Sequence, residues 1–118
     1  MTNKIIGKFG ESIATDYLKR QGYKIIANNY QAGHQEIDVI ACMDQTLVFI
    51  EVKTRTTQFY GEGLEACGYF KQRALRAGIN IFLSREDVFY MDVRADLITV
   101  YVNKIKQCVK IKHYENVL

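Results

Sequence analysis

Residues Gly33 to Arg55, GHQEIDVIACMDQTLVFIEVKTR, constrain the fold more than any other stretch of this chain. They read as two apolar strands joined by a short turn at Met43-Asp44-Gln45-Thr46. Each strand carries charge where a buried strand should carry none: Glu36 and Asp38 in the first, Glu51 and Lys53 in the second. Strand side chains alternate between faces, so each charged pair shares a face of its own strand. A two-residue loop at Asp44-Gln45 pairs Met43 with Thr46, and a four-residue loop pairs Cys42 with Leu47. Either register sets Asp38 opposite Glu51 and Glu36 opposite Lys53. Opposed residues have Cβ atoms roughly 4.5–5.5 Å apart, and two carboxylates at that range repel unless a cation lies between them. Solvent-facing charge is the commoner reason for acids on strands. Here the run LVFIEV reads as buried on both faces, and a charge inside it is costly unless paired or bound to metal.

The rest of the chain supplies helices for such a hairpin to pack on. Lys4 to Gln21 reads as an amphipathic helix, with Ile5, Phe9, Ile13 and Tyr17 at helical spacing and Ile6, Ala14 and Leu18 widening the face. Gly22 is its natural stop. Glu11 lies among small or apolar neighbours, Gly7, Ala14 and Leu18. It sits too far into the helix for the dipole to explain it. Gly7 and Gly10 weaken the helix by roughly 1 kcal/mol each relative to Ala, which makes sense if something must approach the backbone closely.

Tyr23 to Tyr30 reads as a strand that Asn28-Asn29 bulges or ends, followed by a turn at Gln31 to Gln35. After the hairpin, Thr54 to Gly63 is a polar, glycine-rich loop whose Arg55, Phe59 and Tyr60 suit a phosphate and a stacked base. Leu64 to Leu83 reads as a second helix, clearest from Tyr69, with a stripe of Phe70, Ala74, Ala77 and Ile81 flanked by Leu75, Ile79 and Phe82. Lys71 and Arg73 sit near its start, where cations are disfavoured unless they face an anion. Val88 to Val102 is β-rich, and Gln107 to Tyr114 returns as a last strand. Its Lys110 and Lys112 share a face, which suits an edge strand guarded against aggregation first and nucleic-acid contact second. The order helix, three strands, helix, two strands predicts a mixed α/β domain with a central sheet and helices against it.

At 118 residues a single domain over 1–118 is expected. No run approaches the roughly 18 apolar residues of a membrane span, and the first residues lack a secretory core, so a cytoplasmic protein is expected. Three cysteines without paired spacing and two distant histidines fit neither a disulfide framework nor a zinc site. A net charge of +3 is compatible with a polyanionic partner without demanding one.

Acids on adjacent strands with a lysine two positions past the second form a compact set. Asp38 and Glu51 suit Mg²⁺ or Mn²⁺ through oxygen, with water and phosphate completing the coordination. Lys53 suits orienting an attacking water or neutralising phosphate, and Glu11 suits a further acid from the helix. These residues resemble the YraN family of uncharacterised bacterial proteins, which have a restriction-endonuclease-like, PD-(D/E)xK fold. The resemblance is carried by Gly7-x-x-Gly10-Glu11, Asn29, EIDVIA from Glu36, VFIEVKTR from Val48, Lys71, and VRAD from Val93. It departs from the family at Gln35, where glycine usually precedes the Glu, and at Ala95, where phenylalanine is usual. It implies that Asp38 and Glu51 bind metal, that Lys53 is catalytic, and that Glu11 joins them. Arg55, Lys71 and Arg73 are the candidate nucleic-acid contacts. The expected function is a metal-dependent nuclease acting on nucleic acid, DNA first, including branched or damaged forms. The alternative is a nucleic-acid-binding or assembly factor that keeps the fold without turnover. A protein-interaction module is a third reading, against which the intact set of charges argues.

Overall fold

A computed structural model describes residues 3–56 and 69–118, with side chains described over 4–56 and 72–118. The elements are α1 (Asn3–Arg20), β1 (Lys24–Ala32), β2 (Gln35–Met43), β3 (Thr46–Arg55), α2 (Tyr69–Arg85), β4 (Asp92–Asn103) and β5 (Cys108–Tyr114). They build one five-stranded sheet in the order β1-β2-β3-β4-β5, antiparallel except for the β3/β4 pair. A parallel pair needs a long crossover, and α2 lies within the connection that supplies it. The mixed α/β class, with a central sheet and flanking helices, is the one the sequence predicts. Phe59 and Tyr60 fall outside the described residues, as do the expected first turns of the second helix at 64–68 and the side chain of Lys71.

Local chemistry sets the boundaries. Gly22 stops α1 with φ +97°. Its N–H donates to Lys19 O at 3.1 Å while Tyr23 N–H reaches back to Leu18 O at 2.9 Å, the paired bonds of a Schellman stop. The β2–β3 turn has two central residues, Asp44 (φ 50°) and Gln45 (φ 70°). Both are left-handed, as a type I′ hairpin requires. The register is the expected one, from Met43↔Thr46 to Val39↔Ile50. β4 starts at Asp92, opposite Thr46, later than the sequence suggests. Val88 to Met91 lie beyond the start of β3, so among the described residues they have no strand to pair with.

Both faces of the central strands are covered, which explains their unbroken apolar runs. On one face Ala14 and Leu18 of α1 pack on Val39, Ala41, Val48, Ile50, Val52, Ile98 and Val100. On the other, Leu75, Ile79 and Phe82 of α2 pack on Ala32, Ile37, Ile40, Leu47, Phe49 and Ala95. Burying each large apolar side chain contributes roughly 1.5–3 kcal/mol.

Two expected helix stripes are corrected. In α1 the buried line is Gly10, Ala14 and Leu18, whereas Ile5 and Phe9 are 54% and 43% exposed. The reason is close approach: a Cβ on Gly10 would collide with Thr54 Oγ1, so the helix turns its smallest residue to β3. In α2 the buried line is Leu75, Ile79 and Phe82, with Ala77 exposed. Gly78 lets this face settle on Ile37, whose Cδ1 would lie 3.3 Å from an added Cβ. Among the described residues no helix is long and apolar enough to cross a membrane.

Candidate functional site

β2 and β3 part company at one end. Their ladder stops at Val39↔Ile50, although β2 begins four residues earlier and β3 runs on to Arg55 beside β4. The expected rungs Asp38–Glu51 and Glu36–Lys53 fall beyond that last pair. In the gap, the Val52 N–H donates to Asp38 Oδ2 at 2.8 Å. A side-chain carboxylate thus takes the place of a backbone acceptor where the ladder opens.

The strand face also changes there. Val39 and Ala41 pack under α1, but Ile37 packs under α2 with Ile40, which strict alternation forbids. The slip falls at Asp38. On β1, Asn29 stands between the rungs Asn28↔Val39 and Tyr30↔Ile37 and has φ 51°. Asn tolerates such a left-handed value better than most residues. Both strands turn over together at this level, but β1 runs on to Ala32 and its register shift lies earlier, between Ile25 and Ala27, so the expectation that Asn28-Asn29 bulges or ends the strand is corrected.

The turnover aims three acids at one point. Glu11 of α1 and Glu36 and Asp38 of β2 each offer an oxygen, and the three oxygens lie within 4.8 Å of one another. Asn29 Nδ2 donates to Glu11 Oε1 at 2.9 Å and to Glu36 Oε1 at 3.0 Å. Lys8 Nζ donates to Asn29 Oδ1 at 3.2 Å and lies 3.8 Å from Glu11 Oε1. The Gly10–Thr54 approach brings α1 close enough for Glu11 to reach across. The set fits a hard divalent cation, because all donors are oxygen and the charge is concentrated. Glu36 is exposed, with Glu11 and Asp38 half-buried, which leaves coordination positions for water.

Glu51 and Lys53 lie next to this group on β3. Val48, Ile50 and Val52 pack under α1, so alternation turns Glu51 and Lys53 to the α2 side, in line with Leu47 and Phe49. Glu51 is buried, and its Oε1 lies 3.8 Å from Lys53 Nζ. Asp38 meets β3 at the amide of Val52, the residue between Glu51 and Lys53. The sequence thus names Asp38, Glu11, Glu51 and Lys53; the structure gathers Asp38 with Glu11, and Glu51 with Lys53. It places Glu36 and Asn29 beside Glu11 and Asp38. Glu36 was signalled by its shared face with Asp38, and Asn29 by its place in an Asn pair that interrupts a strand. Of the expected nucleic-acid contacts, Arg55 is half-buried at the end of β3 and Arg73 is exposed on α2.

A second polar cluster lies under α1 at β4 and β5, unforeseen apart from the Val93-Arg94-Ala95-Asp96 motif. Asp96 is fully buried. Its Oδ1 accepts from Arg94 Nε at 2.9 Å and Asn116 N at 3.0 Å, and its Oδ2 from Arg94 Nη2 at 3.0 Å and His113 Nε2 at 2.7 Å. Arg94 also donates to Tyr23 OH at 2.6 Å and pairs with Glu115 at 3.1 Å, while Tyr17 OH and His113 Nδ1 are 2.9 Å apart. Burial alone would push the Asp96 carboxyl up. Hydrogen bonds from His113, Arg94 and the Asn116 amide outweigh it and hold the carboxyl below its ordinary range. Burial raises both Tyr17 and Tyr23, the latter against the opposing pull of Arg94.

Comparison with known proteins adds relatives. The model of a family described as "Uncharacterised protein family UPF0102" matches residues 10–100. A UPF0102 protein of Alkaliphilus oremlandii is 39% identical over 114 residues, 97% of this chain and 97% of that one. A UPF0102 protein of Caldanaerobacter subterraneus is 35% identical over 117 residues, 98% of this chain and 96% of the relative. Among solved structures, SfsA of Pyrococcus furiosus in complex with Ca²⁺ is similar at a TM-score of 0.39 and 13% identity. That likeness covers 95% of this chain, which spans 63% of the SfsA chain.

Proposed function

The chain belongs to UPF0102, the YraN family its motifs resemble, and from the site it carries we propose that it is a metal-dependent phosphodiesterase of the cytoplasm that cuts nucleic acid, with DNA as substrate. One observation carries the reading: three carboxylates within 4.8 Å of one another stand at the opening between two strands, with an acid–lysine pair on the next strand. Bound there, Mg²⁺ or Mn²⁺ supplies an acidified water and offsets charge on the phosphate. Asp38 and Glu11 would hold the ion, Glu36 would add a ligand or a base at the exposed rim, and Asn29 keeps Glu11 and Glu36 turned toward each other. Lys53 presents its ammonium to the phosphate or the attacking water. Glu51 lies 3.8 Å from that ammonium. It anchors that ammonium on β3 and, as the family resemblance implies, would be a further ligand for the ion.

The test is cleavage of linear, branched and damaged DNA with Mg²⁺ or Mn²⁺. Wild type should cut at least one of them, and Asp38→Ala, Glu51→Ala and Lys53→Ala should each lose about 10²-fold or more, the scale of a removed charge-stabilising group. Cleavage that survives Asp38→Ala would remove the proposed centre. Metal-independent binding with no cleavage, unchanged in Lys53→Ala, would favour a nucleic-acid-binding or assembly factor without turnover.

A further inference from the structure

Lys110 and Lys112, read from sequence as guards of an edge strand before nucleic-acid contacts, have neighbours that favour the second use. The register across three strands is continuous: Lys53, Thr99 and Lys112 form one rung, and Arg55, Tyr101 and Lys110 form the next. Paired residues share a face. Their alternates Ile98, Val100 and Ile111 pack under α1, so both rungs face the other side of the sheet. On that side α2 covers β1, β2 and, on β3 and β4, the stretch at Leu47, Phe49 and Ala95, short of these two rungs. Tyr101 therefore lies between Arg55 and Lys110 in its rung, next to the rung in which the buried Thr99 separates Lys53 from Lys112, and the four cations spread over roughly 10 Å across the strands and roughly 7 Å along them. Lys112 Nζ lies 5.9 Å from its ring centroid. Lys110 is exposed, and Arg55, Lys53, Lys112 and Tyr101 are each partly so. The preceding residue of this row on β3 is Glu51.

We propose that this β3–β4–β5 face is a binding surface for single-stranded nucleic acid, with Arg55, Lys110 and Lys112 on phosphates and Tyr101 stacked on a base, leading the strand to Glu51 and Lys53. It rests on the nuclease reading for its direction, but not for its chemistry. Four positive charges match a polyanion, and an aromatic ring among them selects an unpaired base, whose face a duplex hides. Lysines that only guard an edge need neither a tyrosine between them nor an arginine in register on the far strand.

The experiment measures anisotropy of a labelled oligo-dT single strand with EDTA present, over a salt series, for wild type, Lys110→Glu/Lys112→Glu and Tyr101→Leu. Size-exclusion elution and circular dichroism check that each variant is folded and monodisperse. Loss of two phosphate contacts should lower the log–log salt slope by about 1.4 and weaken binding at least about tenfold. Loss of the ring should weaken binding about tenfold with the slope unchanged. A matching duplex should bind more weakly than the single strand and be insensitive to Tyr101→Leu. The surface is overturned if the folded charge variant binds as wild type does, or if duplex binds as well as single strand. The two readings fail separately: wild type that binds in EDTA but cuts nothing with Mn²⁺ removes the nuclease alone. Wild type that cuts, with a charge variant that binds and cuts equally, removes this surface alone.

Discussion

Asp96 and Asp38 both lie by α1, and each accepts a backbone N–H at 3.0 and 2.8 Å, yet their company is opposite. Around Asp96 stand an arginine, a histidine and the Asn116 amide, two donors to each oxygen. Around Asp38 stand two more carboxylates within 4.8 Å. The first is a charge neutralised by its own fold, joining β4 to β5 and the C-terminal residues. The second is charge concentrated by its fold. Gathering like charges costs stability, and the proposed metal centre would give the arrangement at Asp38 its use.

The comparison can be broken most forcefully at Asp96. Asp96→Ala leaves Arg94 beside an empty cavity and should cost about 3–5 kcal/mol in denaturant unfolding. Its pH signature has a definite sign. A carboxyl held below its unfolded value of about 3.9 adds stability above that pH, which is lost as pH falls through the folded value. Acid unfolding should therefore begin below about pH 4 in wild type, and this limb should vanish in Asp96→Asn. Tyr17 and Tyr23 are raised. Their contribution therefore holds below about pH 10 and fades above it.

Next in size is the response to metal. Mn²⁺ at about a hundred times its Kd should stabilise wild type by about 2.7 kcal/mol in thermal melts, and Asp96→Asn by the same increment, whereas Asp38→Asn should show almost none. An equal shift in all three would dissolve the distinction. Gly10→Ala should cost about 1–3 kcal/mol despite the better helix former. The cause is the new Cβ, which meets Thr54. Thr54→Ala in the same chain should return most of it, which chemical denaturation would register. The smallest effect has the opposite sign to the first. Glu36→Gln in EDTA should leave stability unchanged or raise it by about 0.2–1 kcal/mol, since it removes one of three crowded charges.

Much of this was legible in the chain. The hairpin, its turn and its register follow from two apolar runs around Asp44-Gln45, and Gly22 marks its helix end. What escaped shares one cause: it depends on contacts between distant residues. Strict alternation hides the slip at Asp38, because only pairing with Asn29 in its left-handed conformation shows both strands turning over. Gly10 counts as a weak helix residue until Thr54 lies against it. The Arg94–Asp96 pair is visible as neighbours on a strand face, but its partners His113 and Asn116 arrive only through the β4–β5 register and the turn beyond it.

Asp38 holds the amide of Val52 and also points to the other acids, so one side chain takes part both in the opening between the strands and in the acidic cluster beside it. The two properties are therefore inherited together. A descendant that discarded this aspartate would not keep a vacant but well-formed pocket. Its hairpin would be free to zip closed, and the lost cluster would leave its trace as a longer ladder of paired strands.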